Sequence, residues 1–212
     1  IKTLNEAKNI SREIGYPILI KASNGGGGRG IKKVFEEKNL KDNFLLAKKE
    51  AIQSFGNDDV YIEKLIENPR HIEVQIIGDQ FGNLLHIGER ECSIQRRNQK
   101  IIEECPSPAI KDSEKEEVCQ LTINAFKSVG YRSLGTVEYL YSNGKFFFIE
   151  MNTRLQVEHT VTEEVFNIDI VKEQINVASG QSLSISQKDL KRTCHAIECR
   201  INAENPITMF PS

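Results

Sequence analysis

Ten consecutive residues, Glu150-Met151-Asn152-Thr153-Arg154-Leu155-Gln156-Val157-Glu158-His159, bring together two carboxylates, two carboxamides, a guanidinium and an imidazole. Glu150 and Asn152 are two apart, so on a continuing strand they share one face and set oxygen-bearing groups side by side. Such oxygens suit a hard cation like Mg²⁺, which is usually held by one or two carboxylates together with substrate phosphates. Arg154 and Glu158 follow at once, where a small anion and a proton acceptor can sit together. A solvated polar loop is the plainer account, but such loops rarely set so many distinct groups against an aromatic strand end.

A second constellation is Gly25-Gly26-Gly27-Gly28-Arg29-Gly30. It joins two short apolar runs rather than a strand and a helix, which excludes the order needed by a dinucleotide fingerprint or a Walker loop. The glycines fit instead a flexible strand-to-strand flap whose bare N–H groups close over phosphates, with Lys21 just upstream as a point charge. Glu63-Lys64-Leu65 ends the first sequence region; its backbone can hold a nucleotide base against an apolar wall from Leu65. His71 lies just beyond this crossing.

These groups must be positioned by an α+β scaffold. Thr3-Leu4-Asn5-Glu6 has capping-box form and opens a helix that Gly15 can close. Strands are expected at 18–22, 31–35 and 60–66, with a helix over 40–55. From Arg70 the pattern changes: 71–78 alternates, turns through 79–83 and returns over 84–87 as a hairpin. Arg96-Arg97-Asn98-Gln99-Lys100 is a polar run between apolar pieces. A helix from Asp112 to Val129 leads to a strand at 135–141, the turn Ser142-Asn143-Gly144 and the apolar strand Phe146-Phe147-Phe148-Ile149. A helix over 169–178 and a strand over 195–201 complete the pattern, which gives two lobes, 1–65 and 66–212.

The hairpin turn decides whether Glu138 can join Glu150. A two-residue Asn143-Gly144 loop pairs Ser142 with Lys145 and, in a regular ladder, puts the two carboxylates on opposite faces. A three-residue loop with Gly144 in a bulge pairs Tyr141 with Lys145 and makes them diagonal neighbours, about 7 Å or less between Cβ atoms. The metal site needs a shared face, so the three-residue turn is the expectation.

Bulk properties narrow the class. The chain has 212 residues, 39% hydrophobic and 27% charged, with a net charge of −2; that supplies a core and gives no general pull toward nucleic acid or anionic membrane. No run is apolar enough to span a bilayer. The five cysteines form no C-x-x-C pair, which argues against zinc or a disulfide framework and for a reducing compartment. Cys119 falls on an apolar helical face, and Cys194 and Cys199 are expected on opposite faces of the late strand. The chain starts at Ile1 and is expected to be a piece of a longer protein.

Together these residues resemble the ATP-grasp superfamily and, within it, the biotin carboxylases. The resemblance runs through Tyr16 to Ser23 with the glycines, Glu63-Lys64, Asn68 to Glu73, Glu89 to Arg97, Glu150 to His159 and Glu198-Cys199-Arg200-Ile201-Asn202-Ala203-Glu204. It implies an ATP-grasp fold of two lobes with antiparallel sheets and a glycine-rich flap. It also implies a ligase that uses ATP and bicarbonate to carboxylate biotin through carboxyphosphate, with Mg²⁺ or Mn²⁺. Lys21, Gly25, Gly26, Gly27, Gly28 and Gly30 would bind phosphates; Glu63, Lys64 and Leu65 would hold adenine; His71 and Gln95 would line the nucleotide site. Glu138, Glu150 and Asn152 would ligate the metal. Lys100, Arg154, Gln156 and Val157 would frame bicarbonate, Glu158 would be its base, and Arg200 would stabilise the biotin enolate.

The resemblance further implies a biotin carboxyl carrier protein and a carboxyltransferase as partners, a homodimer at full length, and a cytoplasmic or organelle-matrix setting. Asn98 stands where many relatives carry His, and the family's flanking lobes and an upstream ATP-contacting lysine lie outside the chain, so the piece alone is not expected to complete the reaction. Another ATP-grasp carboxylate–amine ligase, or an ATP-binding module without turnover, are the alternatives.

Overall fold

The computed structural model describes residues 1–24, 31–96 and 98–208. The chain divides into two compact units, Ile1–Glu67 and Asn68–Ser212.

In the first unit, α1 (Leu4–Ile14) is capped by Thr3, whose hydroxyl accepts the Glu6 N–H. The Glu6 carboxylate takes the N–H of Lys2, one residue upstream of the cap itself. Gly15, at φ +77°, ends the helix. The strands β1 (Ile18–Ala22), β2 (Lys32–Val34) and β3 (Val60–Lys64) form an antiparallel sheet in the order β2-β1-β3, and α2 (Leu40–Phe55) covers it. Ile18, Ile20 and Ala22 alternate inward from β1 onto Leu40, Phe44, Ala47 and Ala51. This leaves Lys21 on the other face, which is what a period of two requires.

The second unit holds β4 (Arg70–Gly78), β5 (Leu84–Arg96), β6 (Gln99–Cys105), α3 (Asp112–Ser128), β7 (Ser133–Ser142), β8 (Lys145–Asn152), α4 (His159–Phe166), α5 (Ile170–Ala178) and β9 (Ala196–Cys199). Its six-stranded sheet runs β8-β7-β4-β5-β6-β9, antiparallel throughout. Val74, Ile76, Val137 and Tyr139 pack on Val118 and Cys119 of α3, while Ile77, Leu85, Ile87 and Leu134 pack on Ile170 of α5.

The structure departs from the sequence reading at four points. First, β5 does not stop near Ile87 but runs on through Glu89-Arg90-Glu91 to Arg96. A bulge at Ile87-Gly88 opposite Gln75, with Gly88 at φ +73°, carries the strand past its change in polarity. Second, α4 is a helix that the sequence pattern does not announce. Third, Cys194 lies before β9, so it does not share that strand with Cys199.

The fourth concerns the β7–β8 hairpin. Ser142 pairs with Lys145, so the turn has two residues, Asn143 and Gly144, both at positive φ as a type I′ turn demands. The expected three-residue turn is absent. The shared face is restored farther along: Tyr139 pairs with Phe148, but Glu138 pairs with Glu150, leaving Ile149 as the extra residue of a bulge. Glu138 and Glu150 are thus directly opposite across the ladder rather than diagonal.

Candidate active site

In the first unit, Lys21 and Glu63 project from neighbouring strands, and their Nζ and Oε2 atoms lie 2.5 Å apart. Lys64 donates through Nζ to the carbonyls of Gly15 and Tyr16, 2.9 Å each, so its ammonium ties down the end of α1. The Leu65 N–H is donated to Pro17 O at 3.1 Å. Leu65 can therefore offer a base an apolar wall but not that donor. Gly25, Gly26, Gly27, Gly28 and Gly30 lie outside the described residues.

In the second unit, polar side chains converge on Lys100, which enters from the start of β6. Its Nζ lies 2.5 Å from Glu73 Oε2, 3.0 Å from Glu138 Oε1 and 2.5 Å from Glu158 Oε1. Burial opposes its charge, but these carboxylates outweigh that and raise its pKa. Glu73, fully buried on β4, gives its other oxygen to Arg90 Nε at 2.7 Å. Burial alone would raise the Glu73 pKa; Arg90, His71 and Lys100 hold it well below the usual carboxylate range.

Arg90 is itself wholly buried. Its guanidinium donates to Gln75 and Thr162 at 2.8 Å each, which ties β4 and β5 to α4. Because α4 begins immediately after Glu158, this contact helps fix that carboxylate.

Glu138 Oε1 also accepts from Asn152 Nδ2 and Gln156 Nε2, both at 2.9 Å, and its Oε2 lies 3.1 Å from His71 Nε2. Burial pushes the Glu138 pKa up, but His71 and Lys100 prevail and take it to about 2. For His71, burial disfavours charge while Glu138 and Glu73 favour it, and the pKa is raised to about 9. Glu158 is buried, with Oε2 on Arg200 Nη2 at 2.8 Å.

Arg154 reaches back to Asn152 Oδ1 at 3.2 Å and to Leu155 O at 3.3 Å. Gln95 donates to Cys92 O, and Val157 is exposed. Asn98, at φ +66° between β5 and β6, takes a left-handed conformation that Asn tolerates better than most residues.

The donor set fits a hard divalent cation. Glu138 and Glu150 stand at opposed positions and would supply carboxylate oxygens, Glu138 by giving up part of its contacts with Lys100, Asn152, Gln156 and His71, and Asn152 Oδ1 would join them if Arg154 released it. Gln156 Oε1, buried and without a hydrogen-bond partner among the described residues, is an acceptor open to a ligand's donor.

Sequence reasoning does not single out Glu73, Arg90 or Glu103. Glu73 shares its strand parity with His71 and Gln75, so a buried polar face of β4 is the available signal. Nothing comparable marks Arg90 or Glu103.

An antiparallel α+β sheet carrying this carboxylate–lysine–arginine cluster, in a chain that also holds a small three-stranded unit, is the architecture of the ATP-grasp class. The profile described as carbamoyl-phosphate synthase L chain, ATP-binding domain, matches residues 1–186, and the chain belongs to that family.

Over 203 residues the chain is 55% identical to the biotin carboxylase of Allochromatium vinosum, covering 96% of this chain and 45% of that protein. It is 50% identical over 212 residues to biotin carboxylase 1 of Bacillus subtilis, covering 99% and 47% respectively. Its fold matches the crystal structure of the biotin carboxylase domain dimer of Hydrogenobacter thermophilus 2-oxoglutarate carboxylase, in complex with MgADP, ADP and bicarbonate. The TM-score is 0.92 at 51% identity, covering 99% of this chain and 47% of that one. The chain thus spans somewhat under half the length of these relatives. Among the described residues, no helix is long and apolar enough to cross a membrane.

Proposed function

We propose that the parent protein carboxylates biotin with bicarbonate at the expense of ATP, and that this chain carries the reacting groups. The observation that carries the reading is Glu158, a buried carboxylate held between Lys100 and Arg200 at 2.5 and 2.8 Å. Lys100 and Arg154 supply positive charge for bicarbonate, Gln156 and Val157 frame it, and Glu158 takes its proton. The freed oxygen attacks the terminal phosphorus of ATP, forming the new P–O bond as the bond to ADP breaks. The C–O bond of carboxyphosphate then breaks to give CO₂ and phosphate; the phosphate takes the N1 proton of biotin, and N1 attacks the carbon of CO₂. Arg200 stabilises the negative charge on the biotin ureido oxygen.

Glu138, Glu150 and Asn152 would hold Mg²⁺ or Mn²⁺, which neutralises phosphate charge when bound. Lys21 and the glycines at 25–28 and 30 bind the ATP phosphates, with Glu63 competing for Lys21 when no nucleotide is bound. Adenine is held by Glu63, the backbone of Lys64 and the side chain of Leu65, with His71 and Gln95 as further nucleotide contacts. The full protein would work as a homodimer with a biotin carboxyl carrier and a carboxyltransferase, in a reducing compartment such as the cytoplasm. A carboxylate–amine ligase would have no need of Arg200, because no enolate forms there.

In the full-length parent, Glu158→Gln should lower biotin carboxylation by at least a hundredfold while MgATP binding stays within about threefold, since proton transfer of this kind contributes roughly 10²–10⁴ in rate. Carboxylation persisting near the wild-type rate would contradict the assignment.

A further inference from the structure

The main chain of Arg200 is fixed by β6: its N–H is donated to Ile101 O at 2.9 Å, immediately after β9 ends. The same strand also holds its side chain. Glu103, two residues along β6 and 0% exposed, accepts from Arg200 Nε at 2.6 Å through Oε1, and that oxygen is also 2.6 Å from Nη2. Glu158 Oε2 shares Nη2 at 2.8 Å. Among the described residues, no hydrogen bond engages Nη1.

The two carboxylates stand differently toward the guanidinium. Glu158 has Lys100 as a second partner at 2.5 Å, so it can release Nη2 without becoming an unpaired buried charge. Among the described residues, Glu103 has no such alternative: its Oε2 is buried without a partner there, so loss of Arg200 would leave the whole carboxylate bare, which is strongly unfavourable. Burial already pushes the Glu103 pKa up even with Arg200 beside it.

We propose that Glu103 is the positioning residue for Arg200: it anchors the Nε edge permanently, while Glu158 is the partner that yields when the guanidinium turns to the substrate. Nη1 is then the donor presented to the developing oxyanion, and Nη2 joins it once Glu158 lets go. This rests on the reading of Arg200 as the enolate stabiliser. A simpler role, in which the pair merely fastens β9 to β6, predicts loss of structure rather than of one reaction step.

The test uses the full-length parent enzyme and the variants Glu103→Gln, Glu103→Asp, Arg200→Ala and the Glu103→Gln/Arg200→Ala double variant. Gln keeps the volume and one acceptor; Asp keeps the charge but withdraws it by one methylene. Glu103→Gln should lower kcat for biotin carboxylation ten- to a hundredfold. KM for MgATP and bicarbonate-dependent ATP cleavage without biotin should stay within twofold. In the Arg200→Ala background it should cause no further loss, because its effect passes through Arg200. Glu103→Asp should give the same selective loss to a smaller degree, and it decides the matter should the Gln variant fail to fold.

Unchanged carboxylation, a parallel fall in ATP cleavage, or an additive loss in the double variant would overturn the positioning role while leaving Arg200 as assigned. If Arg200→Ala itself leaves biotin carboxylation intact, the underlying reading fails and takes this one with it.

Discussion

Glu138 and Glu150 stand directly opposite one another across β7 and β8, although the turn between them has only the two residues Asn143 and Gly144. Regular pairing from that turn would set Glu138 against Ile149 and send Glu150 to the other face. The bulge at Ile149 absorbs the mismatch, and a β-bulge beside a functional site commonly re-aims a side chain in this way.

The two carboxylates nevertheless differ in setting. Glu138 is buried and receives Lys100, Asn152 and Gln156, while Glu150 is exposed. Glu150→Ala should therefore weaken MgATP binding about tenfold or more with little change in Tm. Glu138→Ala should weaken it and also destabilise the fold by about 3 kcal/mol, because buried donors lose their acceptor. Thermal unfolding with and without MgATP separates the two; equal Tm losses would contradict the difference in setting.

Gly88 carries the β5 bulge at φ +73°, and a Cβ there would come within 2.5 Å of the Phe166 ring. Gly88→Ala should destabilise by about 2 kcal/mol through backbone strain and overpacking together. Adding Phe166→Leu should recover only part of this, since the strain stays. Full recovery in urea unfolding would mean that the clash alone matters.

In the protein free of metal and nucleotide, His71 and Glu138 bind protons in opposite senses. The His71 pKa rises from 6.5 to about 9, so its contribution to stability is complete below 6.5 and disappears as pH climbs through 9. The Glu138 pKa falls from 4.5 to about 2, so its contribution is present above 4.5 and disappears as pH drops through 2. Proton NMR titration of His71 should place its midpoint well above neutrality; a midpoint below 7 would contradict the pairing.

Cys92, Cys105 and Cys119 are buried, and burial raises all three thiols, Cys105 to about 12. Cys194 and Cys199 are exposed. A thiol reagent at pH 8 should modify these two per native chain, with the other three reacting only on unfolding. Rapid reaction of a third thiol in the folded protein would show that the core holding β5, β6 and α3 opens.

Much of the fold is legible in the sequence because local patterns coincide with the tertiary structure. Ile18 to Ala22, Leu40 to Phe55 and Asp112 to Ser128 form at or near their expected bounds, since their apolar pattern agrees with what the tertiary structure buries. The reach of β5 is hidden because Glu89, Arg90 and Glu91 are charged yet buried, and much of what satisfies them comes from partners distant in sequence such as Glu73 and Ser107. The hairpin departs from expectation for a related reason: one bulge is needed, and the sequence leaves open whether it sits in the turn or at Ile149. Lys100 and Arg200 are identified through the resemblance. Their convergence on Glu158 is a tertiary fact that no spacing reveals.

The central claim is that bicarbonate itself is phosphorylated, and oxygen transfer tests it most directly. The full-length parent would be supplied with ¹⁸O-labelled bicarbonate, MgATP and biotin, and the released phosphate analysed by mass. The attacking oxygen stays on phosphorus when carboxyphosphate releases CO₂, so one labelled oxygen per phosphate is expected. Phosphate carrying no label, while biotin is carboxylated, would contradict the account.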